Sequence, residues 1–75
     1  MKDLILYILE KLVSKPDEIV IEESVKGNTL NYNVKVNPDD LGAVIGRGGK
    51  IANSIRTVVR SSAKKENKRV NISFE

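Results

Sequence analysis

Apolar side chains mark out the chain before any other property is considered. Leu4, Ile5, Ile8 and Leu12 recur at the spacing of one helix face, with Asp3, Glu10 and Ser14 on the far side, which predicts a helix over residues 3–14. Leu6, Leu9 and Val13 widen that arc beyond a single buried face. The arc reads either as a deeply packed helix or as one that keeps a surface for a partner. Pro16-Asp17 stops the helix, since proline cannot continue it. Over residues 19–25, Ile19, Ile21 and Val25 alternate as in a strand, and Glu23 breaks the pattern, as befits a sheet edge. Lys26-Gly27-Asn28 supplies a turn. Residues 29–36 alternate cleanly, with Leu30, Tyr32, Val34 and Val36 inward and Thr29, Asn31, Asn33 and Lys35 outward.

The second half begins with a helix start. Asn37 can cap, Pro38 fits the first helical position, and Asp39 and Asp40 suit the positive helix end. This helix spans 38–45, because Gly46 stops it, and Leu41, Val44 and Ile45 are its core residues. A longer helix is predicted over 50–64, with Ile51, Ile55, Val58, Val59 and Ser62 as its core face and Asn53, Arg56, Arg60 and Lys64 as a polar stripe. Residues 69–75 alternate again, with Val70, Ile72 and Phe74 inward. The order is α-β-β-α-α-β in a single domain of residues 1–75, an α+β chain without linker or repeat. If the helix pair makes the usual right-handed crossover, strand 29–36 pairs parallel with strand 69–75.

Charge divides this chain unevenly. Residues 1–44 carry five lysines against eight acids, a balance of −3, while residues 45–75 carry eight basic side chains against Glu66 and Glu75, a balance of +6. Such asymmetry points the C-terminal half at an anionic partner, although a solvated basic helix face gives the same count. With 75 residues and neither Cys nor His, there is no disulfide, no zinc site and no His-dependent acid–base catalysis. The composition predicts a small binding module with no cofactor, not an enzyme. The run Leu4–Leu9 is too short to span a membrane and has no cleavage site, so the chain reads as cytoplasmic.

The candidate chemistry sits in Val44-Ile45-Gly46-Arg47-Gly48-Gly49-Lys50. Glycines at this density mark unusual dihedrals or a close backbone approach. The following helix aims free amides and the positive end of its dipole at this loop, and Arg47 and Lys50 add charge. It is not a P-loop, because Val44 stands where the first glycine must be and Ile51 where Ser or Thr must be. Nor is it a dinucleotide fingerprint, which needs glycine at 51 and a strand just upstream. Gly-x-x-Gly between two helices remains, and by itself it fits an interhelical turn as well as a phosphate clamp.

With the helix–loop–helix bracketed by strands, these residues resemble a KH domain, and the preceding helix and strand resemble the type II (bacterial) arrangement over nearly the whole chain. The length and Ile51-Ala52-Asn53-Ser54-Ile55-Arg56-Thr57-Val58-Val59-Arg60 are similar to the small single-domain KhpA (YlqC-type) family. The resemblance implies a three-stranded mixed sheet with three helices on one face. It implies a grip on about four nucleotides of single-stranded RNA by the loop at 46–49. By position, Gly46 and Gly49 form the turn pair, and Arg47 and Gly48 meet the phosphates. Lys50 and Arg56 can add phosphate contacts, Val44 and Ala52 form the apolar floor, and Ile45 belongs to the same RNA-binding segment. Ala52 stands where many KH domains carry Ile, which lowers the groove wall. The resemblance further implies a homodimer, or a heterodimer with a second KH protein of the KhpB (Jag/EloR) type, and a role as a bacterial RNA chaperone linked to cell elongation. The scarcity of aromatic residues, 4%, argues against modules that grip RNA mainly by stacking. Two other readings compete: an interaction subunit working through the first helix, and a helix-turn-helix binding double-stranded DNA.

Overall fold

The computed structural model describes residues 1–75. Its elements are α1 (Lys2–Glu10), β1 (Val20–Lys26), β2 (Thr29–Lys35), α2 (Pro38–Ile45), α3 (Lys50–Lys64) and β3 (Arg69–Phe74), with short 3-10 turns at Pro16–Glu18 and Arg47–Gly49. β1 and β2 form an antiparallel hairpin, and β2 pairs parallel with β3, giving a mixed sheet of order β1-β2-β3. A parallel neighbour cannot be reached by a tight turn, so α2 and α3 together form the crossover.

The inward residues of β2 and β3 meet in register, Leu30 with Val70 and Tyr32 with Ile72. All three helices cover this face: Ile5 and Leu9 from α1, Val44 from α2, and Ile55, Val59 and Ala63 from α3 join one buried cluster with these strand residues. The opposite sheet face is left to solvent and carries a polar ladder, in which Asn71 Nδ2 donates to Asn31 Oδ1 and Ser73 Oγ donates to Asn33 Oδ1, both at 3.0 Å. The chain is thus an α+β fold with three helices on one side of a three-stranded sheet.

Three expectations are corrected. Residues 3–14 do not form one helix: α1 ends at Glu10, and the amides of Leu12 and Val13 both turn back to the Leu9 carbonyl. The cause lies 26 residues away in Asp40, whose Oδ1 accepts from the Ser14 amide at 2.9 Å and the Ser14 hydroxyl at 2.7 Å, and whose Oδ2 accepts from the Lys15 amide at 3.1 Å. Those bonds need Ser14 and Lys15 off the helix. Asp40 is therefore more than a helix-start acid; it is the one buried charged residue, and Asp39 alone plays the local part, its amide donating to Asn37 Oδ1.

Val25, expected inward, is 60% exposed at the hairpin end of the edge strand. The broken alternation at Glu23 has a partner: Glu23 pairs across the strands with Tyr32, whose hydroxyl donates to Glu23 Oε2 at 2.6 Å. Burial and this carboxylate both hold the Tyr32 phenol above its usual range. In α3 the buried positions are Ala52, Ile55, Val59 and Ala63, and Val58 is half exposed. The two alanines let the helix lie close to the sheet, which turns Val58 outward.

Candidate nucleic-acid interface

The glycine loop is built by a chain reversal that only glycine permits. Gly46 closes α2 by donating to the Gly42 carbonyl at 2.9 Å, and it takes φ +75°. A Cβ there would stand 2.6 Å from Ile51 Cγ1 and 2.9 Å from Ile51 Cβ, so the side chain of Ile51 packs directly on the glycine backbone. Gly48 and Gly49 also take positive φ, +63° and +79°, and Gly48 has open space where a side chain would be. The 3-10 turn uses the amides of Gly49 and Lys50 and leaves those of Arg47 and Gly48 without a helical acceptor. Arg47, Gly48 and Lys50 are exposed at the N-terminal end of the 15-residue α3.

Charge at this end is unopposed. The two ion pairs of the structure, Lys15–Asp39 and Lys35–Glu22, both lie in residues 1–44. None of the eight basic side chains of residues 45–75 is spent on an acid. Open amides, a helix N-terminus and two free cations on a glycine backbone together favour an anion that approaches the main chain closely.

Each expected site residue has a definite place. Gly46, Arg47, Gly48, Gly49 and Lys50 form the loop rim, with Ile45 half-buried behind it. Val44 is fully buried in the core and Ala52 is 3% exposed, so neither offers a surface to a ligand. The half-buried apolar surface beside the loop belongs instead to Ile45 and Ile51. Arg56 lies one turn further along α3, half-buried, with its guanidinium already engaged. Its Nε donates to the Ile72 carbonyl at 3.1 Å, its Nη1 donates to Asn53 Oδ1 at 3.0 Å, and its Cζ sits 5.3 Å from the Phe74 ring centroid.

This contact ties α3 to β3. Arg69 and Glu75 give their amides to Asn28 and Val34, on the β2 side. By the alternation of a parallel ladder, Val70 and Ile72 then turn their amides and carbonyls away from β2, toward α3. The free edge of β3 therefore runs beside α3, and Arg56 joins the two. Sequence reasoning missed Ile51 as the buttress of Gly46 and Asn53 as the partner of Arg56. The i, i+3 spacing of Asn53 and Arg56 was the available signal for the second.

Comparison with known proteins agrees with this geometry. The family model described as "KhpA/KhpB, KH domain" matches residues 2–74. The chain is 44% identical over 70 residues to the RNA-binding protein KhpA of Clostridium perfringens, covering 93% of each chain. It is 47% identical over 70 residues to that of Oceanobacillus iheyensis, again covering 93% of each. It is 41% identical over 75 residues to that of Lactiplantibacillus plantarum, covering all of this chain and 88% of the relative. Helix–glycine loop–helix on a mixed sheet, matched along nearly every residue, is decisive: the chain belongs to the KhpA/KhpB KH-domain family.

Proposed function

We propose that this protein binds single-stranded RNA by clamping the sugar-phosphate backbone on the loop Gly46–Gly49. The observation that carries the reading is the coincidence of two unused amides, at Arg47 and Gly48, with the unpaired cations Arg47 and Lys50. Phosphate can approach because the loop presents no β-carbon at 46, 48 or 49. Bases then lie toward Ile45 and Ile51, with the outward groups of β3 beside them. Arg56 is a wall as well as a charge, since its Nε is already spent on Ile72. Such a module needs no cofactor. Titration of a labelled single-stranded RNA at increasing salt tests the clamp: affinity falls linearly on a log–log plot, with a slope of about −0.7 for each phosphate neutralised. Binding indifferent to salt contradicts it, and preference for duplex DNA favours the helix-turn-helix reading instead.

Pairing with a second KH protein is part of the same proposal, because one small site binds weakly and two joined sites raise effective concentration. Most of the apolar arc of α1 and of the segment after it is consumed by the core: Leu4, Leu6 and Ile8 of the helix, and Leu12 and Val13 beyond it, are half-buried and pack against it. The large apolar side chains left exposed are Tyr7 at 63%, Val25 at 60%, Val20 at 50% and Val58 at 49%. No helix is long and apolar enough to cross a membrane, which accords with a cytoplasmic RNA partner.

A further inference from the structure

A cluster of cations lies at the other end of α3. A shallow groove between the C-terminal half of α3 and the start of β3 is lined by Thr57, Arg60 and Ser61 and by Lys64, Lys68 and Arg69. Arg60 and Lys64 from α3, Lys68 from the turn and Arg69 from β3 thus face one cleft, and no acid lines it. The turn that brings them together is specific. Lys68 donates its amide to the Ala63 carbonyl and Asn67 donates to the Lys64 carbonyl, with Asn67 at φ +58°. This is a Schellman cap, and it swings Lys68 and Arg69 back alongside the helix they have just left.

None of the four cations is in an ion pair, and all four are exposed. Like charges gathered without a counter-ion repel one another, so the arrangement works against the fold unless an anion occupies the cleft. Glu66, the one acid near this turn, does not line it. The groove lies on the same helix as the glycine loop: its lining starts at Thr57, next to Arg56, and reaches Lys64, roughly 20 Å from the loop at 1.5 Å per helical residue.

We propose that this groove is a second phosphate track, which carries the same single strand past the loop and lengthens the footprint beyond four nucleotides. The inference rests on the reading of the loop as an RNA clamp and adds its extent. Thr57 and Ser61 offer hydroxyls between the cations, and the outward amide of Val70 lies on the β3 side. Recognition here is of phosphate spacing, with no preference among bases.

The test compares four- and ten-nucleotide oligouridines bound to the wild type, to the triple variant Arg60→Gln, Lys64→Gln, Arg69→Gln, and to Gly48→Asp. All four positions are exposed, and thermal unfolding of each variant verifies its fold. The triple variant is expected to hold the four-mer within about twofold. It should bind the ten-mer about tenfold more weakly than the wild type, with the salt slope reduced by about 2, the loss of roughly three phosphate contacts. The statistical gain from extra binding registers on the longer strand is common to both proteins and cancels. Equal ten-mer affinity and equal slope in wild type and triple variant overturn the inference while the clamp stands. A ten-mer that ignores Gly48→Asp but is lost by the triple variant overturns the clamp and leaves the groove as the phosphate site.

Discussion

Arg56 Nε donates to the carbonyl oxygen of Ile72 across 3.1 Å, joining α3 to the free edge of β3. An edge strand presents unpaired main-chain groups that invite another strand, and a charged side chain laid over them is one way to block this. The guanidinium is held on both sides, by Asn53 Oδ1 and by the Phe74 ring. Arg56→Leu is predicted to lower stability by about 1 kcal/mol, the worth of a hydrogen bond at a partly solvated edge. It should also weaken single-stranded RNA binding several-fold and raise self-association through β3. Urea unfolding, anisotropy and sedimentation read the three effects separately.

Gly46 and Ile51 predict a contrast within the loop. Gly46→Ala places a Cβ 2.6 Å from Ile51 Cγ1 at φ +75°, so both sterics and backbone oppose it. Its cost should exceed about 2 kcal/mol. Gly48→Ala meets no atom within 4 Å and carries only the left-handed backbone penalty, about 1 kcal/mol. Thermal unfolding of the two variants should rank them in that order, and equal losses would refute the packing described for Ile51.

Asp40 makes stability depend on acid pH. Hydrogen bonds from the amide and hydroxyl of Ser14, and from the Lys15 amide, hold its carboxyl below the usual carboxylate range. Its folded pKa thus lies below its unfolded one, so the contribution is complete above the unfolded value of about 3.9 and is lost as pH falls through the folded value. Asp40→Asn should lower the urea midpoint at pH 7 and flatten its decline below about pH 4. A variant whose acid decline matches the wild type would show that other groups control it.

Tyr32→Phe removes the hydroxyl that donates to Glu23 at 2.6 Å. Because Glu23 is exposed and regains water, the cost should be only about 1 kcal/mol, measured by chemical denaturation. Burial and Glu23 raise the folded pKa of Tyr32 above the unfolded one. Its contribution is therefore complete below the ordinary tyrosine range and declines as pH rises above about 10. The Phe variant should lack that alkaline decline.

The features that sequence reading captured are those set by neighbouring residues. Asn37-Pro38 begins α2 and Gly46 ends it by local cap and backbone chemistry, and the alternation in β2 names its buried face directly. The glycine loop was legible because three glycines and two cations sit within five residues. What escaped depends on distant partners. The course of the chain after α1 is held by Asp40, 26 residues past Ser14, and nothing between Lys11 and Ser14 announces it. Val44 reads from the sequence both as a core residue of α2 and as floor of the site, because periodicity in a two-turn helix cannot separate those faces; in the fold it lies wholly in the core. Arg56 has the composition of a phosphate ligand, yet its contact with Ile72 exists only because α3 packs along β3.

The central claim is that the loop backbone grips phosphate, and one measurement addresses it most directly: anisotropy of a labelled single-stranded RNA with wild type and with Gly48→Asp. Position 48 is exposed and has room for a side chain, so an acid there alters charge and backbone access at a backbone cost of about 1 kcal/mol, and thermal unfolding verifies the fold. The account predicts at least about a tenfold loss of affinity, equivalent to about 1.4 kcal/mol, with the salt slope reduced by about 0.7 or more. Unchanged affinity and slope in a folded Gly48→Asp protein would contradict it.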